Sequence, residues 1–261
     1  MTTTDDAARP PVAAADQVVS AVPFPRLVAV ELRKTAASRS GRWLLVATGV
    51  LVVAVVAVAV VAADQEDVRS GDLLDAASAP LTLLLPLLAV LAVTTEWSQR
   101  TALITFTLEP RRTRVVLAKL SAVVAVGLLA VAATLVAAAV GVLAGGGSWA
   151  LEGSDVRGLV LALVPAVVQA FAFGLLLRST AAAIVVAYLV TPVWSTVLAL
   201  SDRLEAAAPW LDLGAALTPV TSSGGVGAQQ WAQLASAVVL WVLLPLGLGL
   251  LRLVRGEVEA D

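Results

Sequence analysis

The chemistry available to this sequence is limited first by two residue types that it lacks. The 261 residues include no cysteine and no histidine, the side chains that most often bind metals or act as catalytic nucleophile and base. Two acidic pairs remain, Glu152 with Asp155 and Asp202 with Glu205. They are expected to be solvated or to cap helices rather than to catalyse. The sequence therefore predicts no catalytic residue and no metal ligand, and it predicts that the chain is not an enzyme.

The most concentrated charged segment is EWSQRTALITFTLEPRRTR, which runs from Glu96 to Arg114 between two long apolar stretches. Its apolar side chains fall on more than one helical face before Pro110 ends the pattern. This predicts a short helix that rests on the ends of membrane spans or on a partner protein. The competing interpretation of its arginines is membrane orientation alone.

The elements around this segment are hydrophobic. Mean hydropathy is +0.94 and charged residues make up 14% of the chain, too few to cover a soluble domain of this length. A hydrocarbon core of about 30 Å is crossed by roughly 20 apolar helical residues. The predicted fold is therefore an all-α polytopic membrane protein with six transmembrane helices. The predicted spans are 43–63, 80–97, 115–143, 158–177, 181–200 and 231–251, with Ser78 as the N-cap of the second.

The distribution of lysine and arginine predicts the orientation. With six spans, fourteen of the seventeen basic residues lie on the side of the two termini, and Arg69, Arg157 and Arg203 lie on the other. By the positive-inside rule, both termini are expected to be cytoplasmic, in a multi-pass protein of the cell membrane. Residues 1–25 are expected to be disordered and residues 252–261 to form a cytoplasmic tail.

Residues 26–42, RLVAVELRKTAASRSGR, have the spacing of an amphipathic helix on the inner membrane surface. Val28 and Leu32 share its apolar face, and Glu31 and Lys34 share its polar face. Simple anchoring and contact with a partner are equally compatible with this pattern.

Two stretches resemble the permease subunits of type-2 ATP-binding-cassette (ABC) exporters: VELRKTAASRSGRWLL before the first span and TTEWSQRTALITFTLEPRRTRVVLAKL after the second. That family commonly shows Glu, an aromatic residue, Thr, a TL.P..R pattern and then Lys at the third span. With the six-span layout, the resemblance covers nearly the whole chain. Arg100 stands where glycine is frequent. The matching positions are Glu96, Trp97, Arg100, Thr101, Thr107, Leu108, Pro110, Arg114 and Lys119.

The resemblance implies an interface helix at 26–42 and a coupling helix near 98–109, both docked on a separate ABC ATPase subunit that binds ATP and Mg²⁺. It also implies a second permease subunit, identical or similar, and short extracellular re-entrant helices within 201–230. The residues expected at the ATPase through the interface helix are Glu31, Arg33, Lys34, Arg39 and Arg42. Those expected through the coupling segment are Glu96, Arg100, Thr101, Phe106, Glu109, Pro110, Arg111, Arg112, Arg114 and Lys119.

The expected function is transport of a hydrophobic or amphipathic substrate, with membrane lipid and no nucleic acid as further partners. The sequence has no G-x-x-x-x-G-K-[ST] motif, so no cofactor is expected on this chain. No charged residue lies in the middle of a predicted span, which disfavours an ion-coupled carrier. An accessory anchor for an ATPase is the alternative, followed by a membrane enzyme or an uncoupled carrier. For Gln169, an interhelical hydrogen bond is favoured over contact with substrate in a translocation path.

Overall fold

The computed structural model describes residues 22–63, 68–98, 111–221 and 225–255, with the backbone alone at 96–98. Within these ranges the chain is helical and contains no β-strand. Six helices are long and apolar enough to cross a membrane, as predicted. They are α2 (Arg39–Ala62), α3 (Ser70–Ser98), α4 (Arg112–Gly145), α5 (Gly153–Leu177), α6 (Thr180–Leu198) and a sixth that runs from Ala228 to Arg255.

The sixth long helix consists of α10 (Ala228–Val238), one π-helical turn (Val239–Leu243) and α11 (Leu244–Arg255). Four shorter helices complete the described chain. They are α1 (Phe24–Ala37), α7 (Asp202–Glu205), α8 (Ala208–Leu211) and α9 (Leu213–Thr221). The predictions for residues 1–21, 99–110 and 256–261, which include most of the coupling segment, lie outside the described residues.

Helices α3 and α5 form the centre of the bundle. Their apolar windows are 50% and 56% buried, whereas those of α2 and α6 are 17% and 11% buried. The two central helices approach closely at Gly174, where an added Cβ would lie 2.4 Å from Val93 Cγ1. Glycine thus allows the contact that buries the core side chains. The largest of these are Phe171, Leu81, Leu85, Leu88 and Leu163.

The start of α3 differs from the prediction. The helix begins at Ser70, so Ser78 lies inside it and its hydroxyl donates to the Asp75 carbonyl at 2.6 Å. Leu73 and Leu74 are each 2% exposed, so packing in the core extends the helix through residues that looked like a polar loop. Pro80 is accommodated inside the helix. Nearby hydroxyls bond to carbonyls there, and Thr82 Oγ1 donates to Ser78 O at 2.9 Å.

The predicted helix at 26–42 is divided at Ser38. Its backbone is extended, with ψ at 141°, and its hydroxyl accepts a hydrogen bond from Gly41 N at 3.0 Å. Ser38 therefore ends α1 and caps α2, and Arg39 and Arg42 belong to the first turn of α2. An added Cβ at Gly41 would lie 2.2 Å from Thr35 O, so the corner requires glycine.

Both ends of the described chain lie at one end of the bundle. Arg114 Nη2 donates to Val22 O at 2.8 Å, and Arg112 Nη1 donates to Leu253 O at 3.0 Å. We call this the basic end, defined by α1, the starts of α2, α4 and α6, and the ends of α5 and α11. Helix α4 has 34 residues and so spans about 51 Å at 1.5 Å per residue, more than a bilayer core requires.

Replacing Gly174 with valine should force α3 and α5 apart. We expect Gly174→Val to lower the free energy of unfolding by about 1–3 kcal/mol, as overpacking does in a tight core. Equilibrium unfolding in mixed micelles measures this. The matched control is Gly49→Val, because an added Cβ at Gly49 meets nothing within 4 Å. Equal stability of the two variants would contradict the close contact.

Candidate functional site

The basic end is organised around one buried acidic residue, Glu31 of α1. Its carboxylate pairs with Lys119 Nζ of α4 at 2.6 Å and with Lys34 Nζ at 2.7 Å. Glu31 is 7% exposed and Lys119 is 5% exposed, whereas Lys34 lies at the rim. The face of α1 that packs on the bundle is therefore centred on Glu31. The sequence had placed Glu31 on the outward polar face with Lys34.

This position changes what Glu31 and Lys119 are available to do. Both were predicted to contact an ATPase, and both are engaged with each other inside the chain. A charge buried without its partner destabilises a protein by about 3–5 kcal/mol, so each side chain holds the other in place. The pair joins α1 to α4 across the interior of the basic end.

The other predicted docking residues fall into three groups. Arg112 and Arg114 are half-buried and bond to backbone carbonyls. Glu96 has only its backbone described, and Arg100, Thr101, Phe106, Glu109 and Pro110 lie outside the described residues. The predicted docking residues with exposed side chains are Arg33, Lys34, Arg39, Arg42 and Arg111.

Two further arginines at this end were not identified from the sequence. Arg178 Nη2 donates to Arg252 O at 3.1 Å, and Arg252 Nη1 donates to Leu176 O at 2.6 Å. With Arg112, they supply hydrogen bonds to carbonyls that the last turns of α5 and α11 leave without intrahelical partners. Burial, followed by the charges of Arg252 and Arg112, lowers the pKa of Arg178 from its ordinary value. Basic residues just beyond apolar runs are the signal that could have revealed this role.

A mostly apolar cavity lies near the middle of the bundle. Its volume is about 230 Å³, and it is lined by residues of α3, α5, α6 and α9. Gln169 of α5 lines it and is 5% exposed, yet its Nε2 has no hydrogen-bond partner among the described residues. The favoured interhelical hydrogen bond is therefore not made by this nitrogen. A buried donor without a partner costs about 1–3 kcal/mol.

Helix α9 forms one wall of this cavity because it turns back into the bundle. Near its C-terminal end, Val220 O accepts from Arg157 Nε at 3.2 Å. Near its N-terminal end, Leu213 and Leu217 line the cavity with Gln169. Three short helices, α7, α8 and α9, occupy 202–221 within the segment 201–230, and their re-entrant character stays a prediction.

The N-terminal end of α9 is held by Asp212, an acidic residue that is 2% exposed. Its carboxylate accepts from Ala215 N at 2.8 Å and from the Ser195 hydroxyl of α6. It is therefore an N-cap whose charge is stabilised by the positive end of the helix dipole. Sequence reasoning missed it, and predicted Asp202 with Glu205 as the cap of this segment. In the structure Ser201 caps α7, accepting from Leu204 N at 3.4 Å.

Two tryptophans fix the same segment to both neighbouring long helices. Trp194 Nε1 donates to Leu211 O at 3.1 Å, and Trp241 Nε1 donates to the same carbonyl at 2.7 Å. The two indole rings pack edge to face, with centroids 5.9 Å apart. Both indole rings therefore pack against this segment and against each other.

The Glu31–Lys119 pair gives the first prediction for the site. We expect Lys119→Met to lower the free energy of unfolding by about 3–5 kcal/mol, because it leaves Glu31 buried without this partner. The double variant Glu31→Leu with Lys119→Met should recover most of the loss. Lys34→Met is the control and should cost less than about 1 kcal/mol, since Lys34 is exposed. A small effect of Lys119→Met in equilibrium unfolding would contradict the buried pair.

Gln169 gives the second prediction, in which the substitution raises the free energy of unfolding rather than lowering it. Leucine has a similar size and no polar atom, so Gln169→Leu should raise the free energy of unfolding by about 1–3 kcal/mol. Gln229 is an exposed glutamine of α10, and Gln229→Leu should change stability by less than about 0.5 kcal/mol. A clear loss of stability in Gln169→Leu would mean that the amide nitrogen has a partner.

Comparison with known proteins gives no family for this chain. No protein-family model matches it, and no curated protein matches it in a sequence search. Among the described residues, no group of three or more His, Cys, Asp or Glu side chains could hold a metal ion. The arrangement of the site is therefore interpreted from its own residues.

Proposed function

We propose that this chain is the permease subunit of a type-2 ABC exporter. It would move a hydrophobic or amphipathic substrate across the cytoplasmic membrane, with ATP hydrolysed on a separate ATPase subunit. The observation that carries the proposal is the attachment of α1 to the start of α4 by the buried Glu31–Lys119 pair. This attachment connects the two segments whose sequences resemble the interface and coupling helices of that family.

The proposed docking surface is the exposed part of the basic end. It comprises the corner between α1 and α2 and the residue that precedes α4. Its charges favour an acidic surface on the ATPase, because complementary charge steers association and sets orientation. Glu31 and Lys119 contribute from inside, by fixing the position of α1. The proposed docking residues are Arg33, Lys34, Arg39, Arg42 and Arg111.

Force would enter the bundle through α4. The segment 98–109, proposed as the coupling helix, lies just before Arg111 and α4 in the chain. Displacement of α4 would carry α1 with it through Lys119 and Glu31, and α11 through the bond from Arg112 to Leu253 O. Helices α4 and α1 would then shift together against the central α3 and α5, in the manner of a shear motion, and the Arg112 bond would transmit part of this shift to α11, which is also bonded to α5.

The proposed orientation and the proposed partners follow from the distribution of charge, from the exposed faces of the helices and from the sequence motifs. By the positive-inside rule, the concentration of arginine at the basic end supports a cytoplasmic location for that end and for both termini. Helices α2 and α6 are the least buried of the long helices and leave faces for lipid or for a second permease subunit. The sequence contains no phosphate-binding loop, so ATP would bind to the partner.

One observation favours a second candidate, an uncoupled carrier. The cavity at Gln169 is enclosed by helices of a single chain, so a ligand could bind without a second permease or an ATPase. Transport in vesicles separates the two functions. Movement of substrate that requires both the ATPase and ATP supports the exporter, and movement without them supports the carrier.

Charge reversal at the docking surface tests the proposal. The triple variant Arg33→Glu, Arg39→Glu and Arg111→Glu should reduce the ATPase subunit that co-purifies with the chain by about tenfold or more, because three exposed attractions become repulsions. The reduction should be greatest at low salt. Quantitative mass spectrometry of the purified complex measures it.

The matched control is Arg203→Glu, an exposed arginine at the opposite end of the bundle. It should leave the amount of bound ATPase unchanged. Unchanged ATPase binding in the triple variant would reject the docking surface. ATP hydrolysis by the purified chain alone would reject the assignment of ATP hydrolysis to a separate subunit.

A further inference from the structure

We propose that the cavity between α3, α5, α6 and α9 is a binding site for an uncharged amphipathic molecule. The molecule would carry a hydroxyl or amide group, which the cavity binds through Gln169. This site lies within one chain. Three properties of the cavity favour such a ligand: its unsatisfied donor, the carbonyls beside it and its apolar lining.

The donor is Gln169 Nε2. The side chain is 5% exposed and lines the cavity, and the nitrogen has no partner among the described residues. Buried polar atoms in folded proteins are almost always hydrogen-bonded to protein or to a bound molecule. An acceptor oxygen in the cavity would satisfy this nitrogen.

The acceptors are two backbone carbonyls that lose a helical hydrogen bond because of two prolines that line the same cavity. Pro86 lies inside α3 and Pro192 lies inside α6. A proline has no N–H, so the carbonyls four residues earlier, those of Thr82 and Tyr188, receive no bond from it. Thr82 and Tyr188 both line the cavity. The site thus combines a buried donor with backbone acceptors, which suits a group that both donates and accepts.

The rest of the lining selects against charge. No lining residue of this cavity is Asp, Glu, Lys or Arg, and most are alanine, leucine or proline. An ionised ligand would lose its hydration without gaining an opposite charge. A ligand with an apolar body and one neutral polar group matches both the apolar lining and the polar atoms at Gln169 and the nearby carbonyls.

The cavity has a neighbour towards the opposite end of the bundle. A second cavity, of about 320 Å³, shares Gly214 with it and is lined by Ser195, Glu205 and Asp212. The start of α9 therefore lies between an uncharged inner cavity and an outer one with two acidic residues. A molecule bound at Gln169 would leave past α9 towards the opposite end.

The role of this site in carrying cargo rests on the proposed transport function, whereas binding does not. The experiment therefore uses the purified chain alone, reconstituted in lipid nanodiscs. The probe is azioctanol, an eight-carbon alcohol with a photoreactive diazirine. After irradiation, mass spectrometry of peptides locates the labelled residues. We expect saturable labelling of the cavity-lining residues of α5, α6 and α9. Excess octanol should reduce it, and octane, which lacks the hydroxyl, should not.

Two variants test the role of the cavity. Gln169→Leu removes the donor and should reduce saturable labelling at least fivefold. Ala166→Phe places a ring in the cavity and should do the same. Gln229→Leu makes the same substitution at an exposed position, and it should be labelled to the same extent as the wild type. Size-exclusion chromatography and thermal unfolding establish that each variant is folded. If Ala166→Phe fails to fold, Gln169→Leu, which is expected to be more stable than wild type, decides the outcome.

Labelling that rises linearly with probe concentration, or that is equal in all variants, would overturn the proposal and indicate partition into lipid. Absence of label from the lining residues would also overturn it and indicate a cavity that holds water alone. Either result would leave the ATPase-coupled function standing if the ATPase co-purifies. Saturable labelling of a chain that binds no ATPase would support the site and reject that function.

Discussion

Every backbone carbonyl and N–H inside hydrocarbon must find a partner within the protein, and this constraint explains most of the polar contacts in the bundle. At several points where a helix ends, turns or contains a proline, a side chain from elsewhere donates to a backbone carbonyl. Tyr188 donates to Leu83 O beside Pro86, and Ser236 donates to Trp210 O at 2.8 Å at the end of α8. The arginines of the basic end do the same for the last turns of α5 and α11. These polar groups stabilise interruptions of the helices. Gln169 Nε2 makes no such bond, and it lines a cavity, which is why it suggests a ligand.

Buried charge follows a related rule. Lys119 and Glu31 neutralise one another between two helices, and the Asp212 carboxylate caps a third. In each case the charge lies where two elements must be joined. The energetic cost of burial is large if a partner is lost, so these residues fix the position of α1 and α9 more firmly than apolar contacts alone would. The bundle is thus least free to rearrange at the points where charged groups are buried.

Hydropathy predicted the six long helices because the requirement for an apolar crossing acts on each segment separately. Features that depend on contact between two segments were harder to predict from the sequence. The predicted start of α3 was wrong because Leu73 and Leu74 pack against other helices, and no local sequence pattern reveals this packing. Glu31 shares a helical face with Lys34, so periodicity alone could not indicate that α4 would cover one and not the other. Lys119 was visible as a single charge within an apolar run, and such a residue usually has a buried partner. Asp212 was not predicted as a cap because its burial depends on α9 turning back into the bundle.

The shared carbonyl of Leu211 has a mechanical consequence. Two indole N–H groups from different long helices converge on one oxygen, so α6 and the π-helical region of the sixth helix are held in a single register. A slide of either helix by a few ångströms would break one bond and open the edge-to-face ring contact. This corner therefore resists sliding of α6 against the sixth long helix, so any rearrangement of the bundle that preserved both bonds would have to carry these two helices together.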